Sequence, residues 1–232
     1  VVLDDNENGL YDSSDYVVGY AYGYDSVGSS GTWERTPNEP TGSFSGGSFG
    51  LVEITVAIDY KSDSNSTQNV LGSTKNDSIE TSTGSDYIVS KGGKDRIFTK
   101  AGNDTINGGD GNDYIDGGSG KDTAVYGSNN NTIDLSKTTR QDTNEGNDTL
   151  ISIENVKAGS GDDTVYGNNS NNVLSGQAGD DTLNGGEGND KIYGGDGIDT
   201  AVFSSRGNRV DLRNRNSQDT RDGNDILRGI EN

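Results

Sequence analysis

From Gly72 the chain divides into units of nine without a gap: GSTKNDSIE, TSTGSDYIV, SKGGKDRIF, TKAGNDTIN, GGDGNDYID and GGSGKDTAV. The sixth position of each unit is an aspartate: Asp77, Asp86, Asp95, Asp104, Asp113 and Asp122. The eighth is aliphatic: Ile79, Ile88, Ile97, Ile106, Ile115 and Ala124. A second block over 158–202 reads AGSGDDTVY, GNNSNNVLS, GQAGDDTLN, GGEGNDKIY and GGDGIDTAV. Its sixth positions are Asp163, Asn172, Asp181, Asp190 and Asp199, and its eighth are Val165, Leu174, Leu183, Ile192 and Ala201. A fixed short period of this kind marks a stack of identical small units rather than a globular core.

A longer period overlies the short one. QDTNEGNDTLISIEN at 141–155 recurs as QDTRDGNDILRGIEN at 218–232, a shift of 77 residues. Residues 81–157 and 158–232 are thus two copies of one unit, each a run of nonapeptides followed by an irregular segment. Because 77 is not a multiple of nine, the irregular segment is expected to interrupt the short register. The second copy stops two residues short of the first, which suggests a piece of a longer array.

GGDGNDYID and GGEGNDKIY match the pattern Gly-Gly-x-Gly-x-Asp-x-U-x, with U a large aliphatic, at every defined position. GGSGKDTAV and GGDGIDTAV depart only in having alanine at U. These units resemble the repeats-in-toxin, or haemolysin-type calcium-binding, family, and the resemblance covers roughly 69–232. It implies an all-β fold, a calcium-bound parallel β-roll of two stacked repeat blocks in which two nonapeptides complete a turn. It also implies that the position-six residues listed above, Asn172 among them, bind Ca²⁺ together with loop carbonyls. Asp77, Asp95 and Asp113 should then line one edge of the first roll, and Asp86, Asp104 and Asp122 the other.

The chemistry of the residues points the same way. Glycine permits the loop conformations that let carbonyls converge on an ion. One buried aliphatic per nine ordered residues is too little to offset the lost backbone entropy, so the roll should need its metal to fold. Loops joined two units apart give about seven sites, and an N-terminal loop raises the total to about eight. The first two units lack paired glycines, which suits a weak site or a cap, and Asn172 supplies a neutral oxygen where a carboxylate is expected.

Composition narrows the partners. With no cysteine and no histidine, thiolate and imidazole metal sites are impossible, whereas hard oxygen donors suited to Ca²⁺ abound. A formal net charge of −20 disfavours nucleic acid and anionic membranes. No stretch is long and apolar enough for a membrane span, and the start does not resemble a signal peptide. The absence of histidine also removes the commonest general base, so no catalytic residue and no enzyme activity is expected within the chain.

Residues 1–68 differ in composition and are read as a small antiparallel β domain, ahead of roll blocks at 69–157 and 158–232. Residues 4–15 fit a twelve-residue calcium loop: Asp4, Asn6 and Asn8 offer side-chain oxygens, Leu10 its carbonyl, Asp12 a direct or water-mediated contact and Asp15 the closing carboxylate. The loop resembles those of EF-hands, dockerins and bacterial surface modules, and a plain acidic turn is the alternative. Tyr16, Val18, Tyr20, Tyr22 and Tyr24 alternate onto one face, as do Val52, Ile54, Val56, Ile58 and Tyr60. That face is either half-buried or, with Trp33, a surface for polysaccharide. Arg206, Arg209, Arg213, Arg215 and Arg221 form a basic stretch that either meets an acidic neighbour or pairs locally with Asp211, Asp219 and Asp222.

The reading that follows is a non-catalytic, secreted calcium-binding module at the cell surface: a structural or adhesive segment of a surface protein, adhesin, surface layer or filament. Copies of the chain, or neighbouring repeats, would continue the stack head to tail. The alternatives are the repeat region of a type I-secreted enzyme and a carbohydrate-binding module. Positions three and five vary too much in identity to present a regular ice-binding array.

Overall fold

The computed structural model describes residues 67–204, 208 and 210–232, together with strand residues 2–3, 16–17 and 59–61. Among the described residues there is no helix. The nonapeptides wind into a parallel β-solenoid of about seven turns.

The pairing registers explain the winding. Ile88 lies beside Ile106 and Ile106 beside Ala124 in one sheet, while Ile79, Ile97 and Ile115 line up in the opposite sheet. Strand partners are therefore two units apart, as the resemblance implied. Within each three-residue strand the middle residue points inward, because successive side chains alternate across a strand. Position eight is that middle residue, and Ile79, Ile88, Ile97, Ile106, Val165, Leu174, Leu183 and Ile192 are completely buried between the sheets. Ala201 alone among the position-eight residues is only partly buried.

One face is a continuous sheet of eleven strands that runs through both blocks. The other face is split. Its first part ends where Asn147–Ile151 pairs with Tyr114–Asp116, and its second begins where Thr132–Asp134 pairs with Thr164–Asn168. The expected interruption thus breaks the strand ladder on one face only, while on the other it lengthens the spacing between partners from 18 to 32 residues. On the continuous face Thr123–Val125 pairs directly with Asn155–Gly159, setting Ala124 against Val156. The irregular segment is looped out and the chain resumes the stack.

That segment closes on itself as a hairpin, with Gln141–Asp142 antiparallel to the start of Asn147–Ile151. The side-chain amide of Gln141 then bridges to the neighbouring strand: its Oε1 accepts the Asp134 N–H at 2.8 Å and its Nε2 donates to the Asp134 carbonyl at 3.0 Å. A glutamine thereby replaces a peptide unit at the sheet edge. The second copy repeats the device with Gln218 and Asp211. Its returning strand, Asn224–Arg228, stacks on the continuous face, whereas Asn147–Ile151 stacks on the split one.

The described strands of the N-terminal region extend the roll. Tyr16–Val17 lies parallel to Asn69–Leu71, with Val2–Leu3 antiparallel outside it, and Asp59–Lys61 lies parallel to Ser78–Glu80. The expected calcium loop at 4–15, the alternating stretches over 18–58, Trp33, Arg206 and Arg209 lie outside the described residues.

Candidate metal centres

The position-six aspartates stand in columns along the two edges of the roll, linked from turn to turn through their own carboxylates. The backbone N–H of Asp77 donates to Oδ1 of Asp95 at 2.8 Å, that of Asp95 to Asp113 at 2.9 Å, and that of Asp113 to Asp148 at 2.9 Å. On the other edge Gln68, Asp86 and Asp104 donate in the same way to Asp86, Asp104 and Asp122. In the second block the N–H groups of Asn131, Asp163 and Asp181 meet Asp163, Asp181 and Asp199. Asn172 and Asp190 donate to Asp190 and Asp225. The edge assignment expected from the sequence is the one observed.

Each such bond occupies one carboxylate oxygen. The other, Oδ2, is buried and has no hydrogen-bond partner in Asp86, Asp95, Asp104, Asp113, Asp122, Asp163, Asp181, Asp190 and Asp199. A buried carboxylate oxygen without a donor is costly unless a cation meets it. Burial accordingly pushes these groups upward, against the opposing pull of the backbone N–H that each accepts. Asp113 rises to about 8, helped by the Asp148, Asp95 and Glu145 carboxylates. Asp122 and Asp163 rise to about 7, and Asp95, Asp181 and Asp190 to about 6. The ion pairs at Glu80, Asp134 and Asp211 sit on the surface instead, where they contribute little.

Beside Asp113, Asp122, Asp181, Asp190 and Asp199 the loop leaves room because position one is glycine. A Cβ on Gly176 would fall 1.8 Å from Oδ2 of Asp181, and one on Gly185 would fall 2.2 Å from Oδ2 of Asp190. Position four needs glycine for a second reason. Gly111 has φ of 145°, and a Cβ there would sit 1.6 Å from the Gly93 carbonyl oxygen on the preceding turn. Unpaired carboxylate oxygens, a cradle open at glycine and abundant carbonyls fit a hard cation of calcium's size. Among the described residues no three carboxylates are grouped so as to hold a metal ion by themselves, so other oxygens, such as main-chain carbonyls, would complete any coordination sphere.

Two expected ligands are differently placed. Asn172 is satisfied within the protein: Oδ1 accepts the Asn168 N–H at 2.9 Å, and Nδ2 donates to the Glu154 carbonyl at 2.7 Å. Asp77 accepts both the N–H and the hydroxyl of Ser73. Its unit was read as a weak site or a cap.

Three elements escaped the sequence reading. Residues 143–151, TNEGNDTLI, and 220–228, TRDGNDILR, are further half-turns with glycine at position four, Asp148 or Asp225 at six and Leu150 or Leu227 at eight. The recurring Gly-Asn-Asp wording could have exposed them. Glu154 and Glu231 also take a position-six role, accepting the N–H groups of Asp122 and Asp199 at 2.9 Å. Finally, position five carries its own ladder in the opposite sense. Asn76 accepts from the N–H of Lys94, Asn103 from Lys121, Asp162 from Asp180 and Asn171 from Asn189.

No curated protein matches this sequence. The family model of the RTX calcium-binding nonapeptide repeat (4 copies) matches residues 67–97, 91–124, 98–133, 153–179 and 166–201. These spans include the loops that carry all nine unpaired aspartate oxygens. Repeat pattern, parallel roll and aspartate columns agree, and the chain belongs to the RTX calcium-binding nonapeptide repeat family.

Proposed function

We propose that this calcium-binding repeat module is an extracellular, non-catalytic segment that Ca²⁺ folds and stiffens after export, with a structural or adhesive role at a cell surface. The observation that carries the reading is the set of nine buried aspartate oxygens without a donor. Left ionised and unpaired, they oppose folding; coordinated by calcium, they tie adjacent turns together. The nine position-six aspartates with an unpaired oxygen are the ligands in this reading, and the loop at 4–15 is a further site built from Asp4, Asn6, Asn8, Leu10, Asp12 and Asp15. About eight ions would be held in all.

The extracellular assignment follows from affinity. Sites of this class in extracellular modules have Kd on the order of 10⁻⁴–10⁻³ M, far above cytosolic calcium, so the chain stays unfolded until it leaves the cell. Copies of the chain or neighbouring repeats would continue the stack head to tail in this reading. Circular dichroism across a calcium titration tests the proposal. The expected result is a disordered chain in chelator that gains β structure at a midpoint of about 0.1–1 mM. A fully folded protein in excess chelator, or a submicromolar midpoint, overturns it.

A further inference from the structure

Three aspartates of the columns differ from the other nine. Asp77, Asp148 and Asp225 are equally buried, yet both oxygens of each carboxylate are engaged. Oδ2 of Asp148 accepts the hydroxyl of Thr143 at 2.6 Å while Oδ1 holds the N–H of Asp113. Asp225 is held in the same way by the hydroxyl of Thr220 and the N–H of Asp190. Asp77 accepts the N–H of Ser73 at 2.7 Å on one oxygen and its hydroxyl at 2.8 Å on the other. Ser73, Thr143 and Thr220 are fully buried, so water does not compete for these bonds.

The three stand at column ends, although Asp86, the first aspartate on the other edge, keeps a free oxygen. Asp77 is the first aspartate of its column, and Asp148 and Asp225 are the last of theirs. Thr143 and Thr220 occupy position one of their half-turns, where the loops beginning at Gly108 and Gly185 have glycine. Inside the columns a position-one hydroxyl turns the other way. Ser90 donates to the Gly108 carbonyl at 2.7 Å and Thr99 to the Gly117 carbonyl at 2.9 Å, both on the next turn. Oδ2 of Asp95 and of Asp104 is left without a hydrogen bond there.

We propose that Ser73, Thr143 and Thr220 stand in for calcium at the column ends, so that Asp77, Asp148 and Asp225 bind no ion. The proposal rests on the reading of the other nine aspartates as ligands. A hydroxyl proton neutralises none of the charge but occupies the lone pair that an ion would take. Displacing it would leave the Thr143 and Thr220 hydroxyls only their longer bonds, at 3.2 Å, to the Gly146 and Gly223 carbonyls. The column from Asp77 to Asp148 is thereby closed at both ends, and the one through Asp190 at Asp225, by side chains that are present whatever the calcium concentration.

Counting bound calcium per chain after equilibrium dialysis against millimolar CaCl₂ tests the idea, with folding of each variant checked by circular dichroism in the same buffer. Asp148→Asn with Asp225→Asn should leave the count unchanged, whereas Asp113→Asn should lower it. Thr143→Gly with Thr220→Gly opens the cradle and should raise the count by two, one ion for each freed carboxylate. A loss of ions in the Asp148/Asp225 variant, or no gain in the glycine variant, overturns the proposal. Should the Asp148/Asp225 variant fail to fold, the glycine variant decides alone. If the unaltered chain takes up no calcium, the reading of the nine ligands is what fails, and the caps fall with it.

Discussion

The backbone N–H of Asp95 donates to Oδ1 of Asp113 at 2.9 Å, while Oδ2 of the same carboxylate lies buried without a donor. One side chain thus fixes the preceding turn with one oxygen and leaves the other free for a cation. Removing it should fail in two ways at once.

Asp104→Ala is therefore expected to be more damaging than Asp77→Ala. Asp104 accepts the N–H of Asp86 and keeps a free oxygen, so its loss strands a buried donor and a ligand position together. The stranded N–H alone costs about 1–3 kcal/mol. Asp77 stands at the column's start and is held locally by Ser73. Calcium titrations followed by circular dichroism should show the larger rise in midpoint for Asp104→Ala; equal shifts would contradict the column arrangement.

Calcium-free protein should gain structure on acidification. The ordinary aspartate value is 3.8, and burial raises Asp113 to about 8 and Asp122 and Asp163 to about 7 in the folded roll. Between those limits the folded state holds more protons than the unfolded one. Their contribution is fully present below about 3.8 and is lost as pH rises through about 6–8. Calcium-stripped chain should show more β signal at pH 4 than at pH 8. Calcium added to the acid-structured chain at pH 4 should release protons, which calorimetry in buffers of different ionisation enthalpy would detect. A β signal that grows with pH in the absence of metal would contradict the burial seen here.

Backbone strain marks a place for improvement. Position two is left-handed in the roll, as at Gly109 with φ of 71° and Gly118 with 81°, but Gln177 must adopt 81° with a side chain. Gln177→Gly should stabilise the calcium-bound roll by about 1 kcal/mol, read as a higher melting temperature. Gly109→Ala should do the reverse, since its Cβ would fall 1.7 Å from the Lys91 carbonyl oxygen.

Position five offers a second test. Asn103 accepts the N–H of Lys121 at 2.9 Å, so Asn103→Ala should cost about 0.5–1.5 kcal/mol. Lys94 stands at the same position without an acceptor oxygen, and Lys94→Asn should recover a similar amount. Thermal melts in saturating calcium would show opposite shifts for the two changes.

How much of this was legible depended on whether residue identity or residue chemistry repeats. Positions six and eight keep nearly the same residue in every unit, and the edges and core could be read from them. Position five varies among Asn, Ser, Lys and Asp, with Ile198 in the last unit, which looks irregular by name. Asn, Asp and Ser all offer an acceptor oxygen, however, and the ladder needs only that. Asp148 and Glu154 were hidden for a different reason. They accept from N–H groups 35 and 32 residues earlier, where the regular turns use 18, so a search at fixed spacing passes over them. The role of Thr143 depends on its standing at a column's end, which no local pattern records.

The exchange of faces between the two returning strands has a consequence for symmetry. Asn147–Ile151 and Asn224–Arg228 are equivalent in sequence but stack on opposite sheets. The hairpins that lead into them, Gln141–Asp142 and Gln218–Asp219, therefore join different sheets. Two copies related by 77 residues in sequence are thus not related by a simple translation along the roll. An odd number of half-turns separates them, and each copy hands the stack on with its broad sides exchanged.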